Sequence, residues 1–113
     1  MVNIEIEKKE DIHFIRVTGD IDAGSSIHLD NAFKEGLETG ESKIAVDLGG
    51  LVYISSAGLG VFVSYLDEFE LKKIKLVLFG IQEAVRQVFD ILGLEKLIDI
   101  AENEEGAIAK LNE

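Results

Sequence analysis

Two adjacent serines, Ser55 and Ser56, lie between the glycines of the stretch Ile44 to Gly60, IAVDLGGLVYISSAGLG. A hydroxyl at the start of a helix, beside glycines that leave backbone N–H groups open, is a place for a phosphate. The same residues also read as an ordinary N-cap at Ser56, worth about 1 kcal/mol. Other chemistries fit less well. A hydrolase elbow needs G-x-S-x-G. Gly58 stands two residues after Ser56, but Ile54 stands two before it, and no histidine follows His28 to act as base. A nucleotide loop needs G-x-x-x-x-G-K-[ST], and no lysine follows a glycine here. Gly58-Leu59-Gly60 opens a G-x-G-x-x-G pattern that Phe62-Val63 does not complete. Asp20, Asp22 and Asp47 are hard oxygen donors of the kind Mg²⁺ accepts, but they lack EF-hand spacing. They read as solvated loop acids, and no metal site is expected.

The elements that must hold the serines follow from periodicity. Asn3–Glu7 alternates, and Ile12–Val17 does so less cleanly; with polar Lys8–Asp11 between them they predict an opening hairpin. Gly19–Gly24 reads as a loop, and Ser25 or Ser26 as the cap of a helix carrying Leu29, Ala32, Phe33 and Leu37 inward as far as Gly40. Lys43–Leu48 reads as a buried strand, followed by a glycine loop and a second apolar run, Leu51–Ile54, that delivers the serines. A second helix, Gly58 to Glu70, has Leu59, Phe62, Val63 and Leu66 on its inner face. Ile74–Phe79 is the next strand. A third helix with Val85, Val88, Phe89 and Leu92 stops near Gly93, Leu97–Ile100 is a short strand, and Glu102–Leu111 is a last helix.

Strands alternating with helices imply right-handed crossovers. The fold class is α/β, a single domain over residues 1–113. Its sheet is mixed and mostly parallel, with about four or five strands opening on the hairpin, and about four helices. Sites on such sheets gather beyond the strand C-terminal ends. Asp20, Asp22, Asp47, Ser55 and Ser56 are all expected in loops there.

Composition narrows the function. Hydrophobic residues make up 47% of the chain, enough for one core. A formal charge of −11 argues against a nucleic-acid surface and suits a partner with a basic face. The chain has no cysteine, which excludes disulfides and thiolate chemistry and fits a reducing cytosol. No leader peptide follows Met1 and no run is long enough to span a bilayer, so a cytoplasmic protein without membrane contact is expected.

Asp47-Leu48, Leu51 and Tyr53-Ile54-Ser55-Ser56-Ala57-Gly58-Leu59-Gly60 resemble the phosphorylation motif of bacterial anti-sigma factor antagonists, the STAS domains. Gly19-Asp20-Ile21-Asp22 is similar to the G-x-I-D loop of that family, and the hairpin and helix–strand order extend the likeness over the whole chain. The resemblance implies a binding module rather than an enzyme. Unphosphorylated, it would bind an anti-sigma factor that is also a serine kinase and free a sigma factor. Phosphorylation of Ser56, with Ser55 as the alternative acceptor, would end the binding, and a phosphatase would restore it. Asp22, Ser55, Ser56, Ala57, Gly58 and Leu59 would meet the partner. Ser55 stands where the family usually has an aspartate, and Ala57 where it has a second hydroxyl. No cofactor is implied for this chain; ATP and Mg²⁺ would belong to the kinase. Two alternatives are a partner-switching scaffold with a non-sigma output and a nucleotide-binding domain.

Overall fold

A two-residue turn closes the opening hairpin. Glu10 and Asp11 both adopt the left-handed region, at φ 54° and 68°, which matches the twist of the flanking strands. β1 (Val2–Lys9) thereby pairs antiparallel with β2 (Ile12–Ile21). The computed structural model describes residues 1–113. The chain continues through α1 (Ser26–Glu38), β3 (Lys43–Ile54), α2 (Ser56–Leu71), β4 (Lys75–Phe79), α3 (Glu83–Ile91), a 3₁₀ turn (Leu94–Lys96), β5 (Asp99–Ala101) and α4 (Glu104–Leu111). The five strands lie in chain order, and all pairs after the hairpin are parallel. No helix is long and apolar enough to cross a membrane.

Successive crossovers of one hand put α1, α2 and α3 on one face of the sheet. The main core lies there, where Ile15, Val17, Ile44, Val46, Leu48 and Leu78 meet the helices. Its centre is aromatic. Phe33 of α1 packs against Phe62 of α2 at 5.4 Å between ring centroids, and Phe62 against Phe89 of α3 at 5.6 Å. Such edge-to-face pairs each add about 0.5–1.5 kcal/mol beyond the area they bury. The opposite face carries Ile12, Phe14, Ala45, Val77 and Phe79, covered by Ala107 and Leu111 of α4. At its rim Arg16 pairs with Glu7, Asp47 and Glu104, and Lys9 also reaches Glu104.

Several boundaries differ from the sequence expectation. Gly19–Ile21 belongs to β2, and β3 runs unbroken through Gly49 and Gly50. These glycines bend the strand rather than ending it. A Cβ on Gly50 would lie 2.5 Å from the Thr18 side chain, where the β2–β3 register shifts. Asp20 and Asp47 are therefore strand residues, not loop residues. α2 begins two residues earlier than predicted, and its inner face is Leu59, Phe62, Tyr65 and Phe69, with Leu66 partly buried and Val63 exposed. Leu92 is exposed as well. After α3 the chain turns at Gly93 into the 3₁₀ segment, which buries Leu94 and Ile98 and delays β5 to Asp99. Asn103 then caps α4 by accepting the Gly106 N–H, so that helix starts at Glu104.

Two buried side-chain polar atoms lack a hydrogen-bond partner, His13 Nε2 and Glu95 Oε2. His13 faces α1 with 4% exposure, and its Nε2 makes no hydrogen bond. Burial lowers its pKa, a shift only partly opposed by Glu41 and Glu35 and reinforced by Lys8. The unfolded chain, with an ordinary histidine near pH ~6.5, therefore takes up the proton first. Stability is expected to fall as pH drops below that value, and His13→Leu is expected to flatten the dependence. Urea melts at pH 7.5 and 5.5 check this.

Candidate functional site

β2 and β3 end together. Ile21 is in register with Ile54, and the Ser55 N–H donates to the Ile21 carbonyl at 2.8 Å. The Asp22 loop and the two serines are thus neighbours at the C-terminal edge of the sheet, the usual site position in parallel folds.

Each segment is closed by its own side chains. Asp22 Oδ1 accepts the Ser25 N–H and the Ser25 hydroxyl, both at 2.8 Å, and Ser25 Oγ accepts the Asp22 N–H at 2.9 Å. The Ser25 hydroxyl and N–H hold the Asp22 carboxyl below the usual carboxylate range. Ser25 occupies the N-cap position of α1, yet its hydroxyl serves Asp22 instead of the helix. The Ser26 hydroxyl donates to Ala23 O. Asp22 therefore orders the loop beside the serines.

At α2 the capping serine is Ser55, not Ser56. Ser55 is extended (φ −83°, ψ 170°), the geometry that lets its Oγ reach the third helical N–H, and it accepts from Gly58 N at 3.2 Å. The first intrahelical bond runs from Leu59 N to Ser55 O at 3.0 Å. Ser56 is the first helical residue and is exposed, as is Ala57. Their N–H groups precede the intrahelical ladder and have no acceptor within the helix. Ser55 fixes the turn, and Ser56 presents its hydroxyl.

Gly58 is buried against the strand ends. A Cβ there would lie 2.8 Å from Ile54 Cγ1 and 2.9 Å from Ile21 Cγ2, so only glycine lets α2 start this close to the sheet. Leu59 is buried beside it. Ser56, Leu59, Gly60 and Val63 form one wall of an open cleft of about 460 Å³, and Leu92 and Leu94 form the other. The sequence reading missed Leu94 as a site residue and placed Val63 and Leu92 in the core. Helical spacing alone does not show that α3 ends alongside the first turns of α2.

The three acids weighed as metal ligands do not act together. Asp20 pairs with the N-terminal amine, Asp22 with Ser25, and Asp47 with Arg16 at 3.0 Å and the Gly49 N–H at 2.9 Å. No three acidic or imidazole side chains are grouped to hold a metal ion.

The STAS domain family pattern matches residues 3–107. The chain belongs to the STAS domain family. This STAS domain is 36% identical over 110 residues to the anti-sigma-B factor antagonist of Listeria monocytogenes, covering 93% of this chain and 92% of the relative. Its fold matches the crystal structure of an anti-sigma factor antagonist from Mycobacterium paratuberculosis with a TM-score of 0.92 at 17% identity, over 100% of this chain and 96% of that one. It also matches the Bacillus cell fate determinant SpoIIAA in its phosphorylated form, with a TM-score of 0.73 at 22% identity, over 96% of this chain and 98% of that one. At these identities the two structures establish the fold.

The site geometry sets the sign of four substitutions. Ser55→Ala is expected to cost about 1 kcal/mol of stability through the lost cap, whereas Ser56→Ala stays within about 0.5 kcal/mol of the parent. Gly58→Ala is expected to destabilise by about 1–3 kcal/mol through overpacking. Gly60→Ala, whose Cβ meets nothing within 4 Å, is expected to stabilise α2 by up to about 1 kcal/mol. Denaturant midpoints of the four variants decide the matter.

Proposed function

We propose that this STAS domain is an anti-sigma factor antagonist controlled by phosphorylation of Ser56. Unphosphorylated, it binds an anti-sigma factor that is also a serine kinase, so that a sigma factor is released. Phosphorylated, it dissociates, and a phosphatase restores it. The observation that carries this reading is the division of labour between the serines: the Ser55 hydroxyl accepts from Gly58 N, while Ser56 is exposed on the first turn of α2. Kinship supports the output. The Listeria relative, alike over nearly its full length, is named an anti-sigma-B factor antagonist.

The same geometry favours Ser56 over Ser55 as acceptor. A phosphate on Ser55 would displace the cap of α2 and crowd the β2–β3 junction. A phosphate on Ser56 projects from the first turn. It adds about −1.5 to −2 charge, and a charge of that sign at a helix N-terminus is favourable by roughly 0.3–1 kcal/mol. The fold therefore keeps its shape. A partner seated on Ser56 must instead accommodate and desolvate a dianion. A cost of ~4 kcal/mol would weaken binding about a thousandfold. The switch acts through local charge and shape, without refolding.

Asp22 takes the role of a preorganised contact. Its carboxylate is already fixed by Ser25 beside the serines and is free of the Arg16 network. Ser55, in the place usually held by an aspartate, leaves Asp22 as the carboxylate on the loop adjoining Ser56.

Incubation with ATP and each anti-sigma-type serine kinase of the source organism, followed by intact mass and site mapping, tests the proposal. One added phosphate on Ser56, absent from Ser56→Ala, is expected. Ser56→Asp is expected to bind the kinase far more weakly than Ser56→Ala. Equal affinity of these two variants would sink the switch, as would a large change in backbone amide shifts across the sheet on phosphorylation.

A further inference from the structure

We infer that the outer edge of β1, with the groove between β1 and α1, is a docking site for an extended segment of a basic partner protein in which apolar residues alternate with lysine or arginine. β1 closes the sheet on one side. It pairs with β2 over its 8 residues without a register shift, so every second residue turns its N–H and C=O away from the sheet. A straight free edge of that length accepts another strand unless something bends or covers it. β1 has no proline, glycine or bulge to blunt it. Its lysines stand at one end and are engaged, Lys8 with Glu41 and Lys9 with Glu104.

The two faces of β1 set the chemistry of the occupant. On the helix side, Val2, Ile4 and Ile6 with Asn31, Ala32 and Glu35 of α1 line an open groove of about 320 Å³. Ile6 is 39% exposed. An added strand sets its own side chains beside Ile4 and Ile6, and β-branched or aromatic ones pair best there. On the α4 side stand Glu5 and Glu7, opposite Arg16 and Phe14. Arg16 engages Glu7, whereas Glu5 is exposed and makes no ion pair. A lysine or arginine across from Glu5 completes a cross-strand pair. The two-residue period of a strand then gives the alternation of apolar and basic residues. Charge argues against a second copy as occupant. Two chains of net charge −11 repel, whereas a basic segment is attracted. Self-pairing of β1 centred on Glu5, Ile6 or Glu7 also sets acid against acid. β2 stands between β1 and β3, the strand that leads to Ser56, so a segment held on β1 leaves the Ser56 turn uncovered.

Titration of the ¹⁵N-labelled full chain with the capped peptide KVKIKVK tests this. Amide shifts on β1 and α1 are expected, with nuclear Overhauser contacts from the peptide backbone to β1. The peptide KKKKVIV, of the same composition without the alternation, is expected to bind about tenfold more weakly. Glu5→Lys is expected to weaken KVKIKVK about tenfold, from one cross-strand attraction turned into a repulsion. Glu70→Lys makes the same change of net charge at an exposed position of α2 and is expected to leave affinity unchanged. Ile6→Thr, which keeps a β-branched residue in the strand, is expected to weaken binding about fivefold. Thermal midpoints show whether the variants fold, and Glu5→Gln is expected to weaken binding in the same direction if Glu5→Lys melts. Equal affinity for the two peptides, or equal losses in Glu5→Lys and Glu70→Lys, reduces the binding to unspecific attraction and overturns the site. Shifts on the Ser56 turn in place of β1, or no binding at millimolar peptide, overturn it as well. Self-association of the free chain that Ile6→Thr abolishes assigns the edge to a second copy and also overturns it.

Discussion

The parallel pairing of β2 with β3 is the constraint on which the site depends. It carries two segments far apart in the chain to one edge of the sheet and stops them at the same level, Ile21 against Ile54. The backbone bond from Ser55 N to Ile21 O extends that ladder by one step and fixes the direction in which α2 leaves the sheet. The Asp22 loop and the Ser56 turn become one surface because the strands beneath them are one ladder. The register shifts at Arg16/Thr18 and Gly19/Asp20 bend this pairing, and Gly50 supplies the missing side chain that Thr18 needs. The strand runs through its two glycines, and Gly50 leaves the room that Thr18 of β2 occupies.

Rigidity at this edge comes from both sides. Beneath it, the rings of Phe33, Phe62 and Phe89 join all three helices of the main face, so α2 cannot slide without disturbing α1 and α3. Above it, short polar closures take over: Asp22 with Ser25, and Ser55 with Gly58. The Tyr65 hydroxyl on α2 donates to the Asp30 carbonyl on α1 at 3.2 Å and ties the two helices a second time. Burial, helped by Asp30, pushes that hydroxyl's pKa up to about 12, so the tie keeps its proton throughout the neutral range.

Much of the fold was legible along the chain. The helical spacing of Leu29, Ala32 and Phe33 and the apolar runs of β3 and β4 each have one solution for hiding their hydrophobic side. The hairpin followed by strand–helix repeats leaves little choice of topology. Boundaries were less legible. Whether Gly19–Ile21 pairs or loops depends on a partner strand, and so does the fate of Gly49 and Gly50. The helical period of α2 admits neighbouring stripes. Val63 lies beside the buried stripe of Phe62, Tyr65 and Phe69, and only the position of α3 decides that it faces an open cleft.

The sequence by itself determined the α/β class, the mixed and mostly parallel sheet and the presence of a serine pair at the head of a helix, because periodicity and turn chemistry act over a few residues. It also carried the STAS likeness, since order and spacing survive without coordinates. Tertiary structure decided which serine is which. Two adjacent hydroxyls are chemically alike in the chain. Only the extended backbone imposed by the β2–β3 ladder turns Ser55 onto the Gly58 N–H and leaves Ser56 facing outward. It decided as well that Asp22 joins them while Asp47 is drawn to Arg16 on the other face. Those outcomes depend on strand pairing between distant segments, and no local pattern encodes the distance.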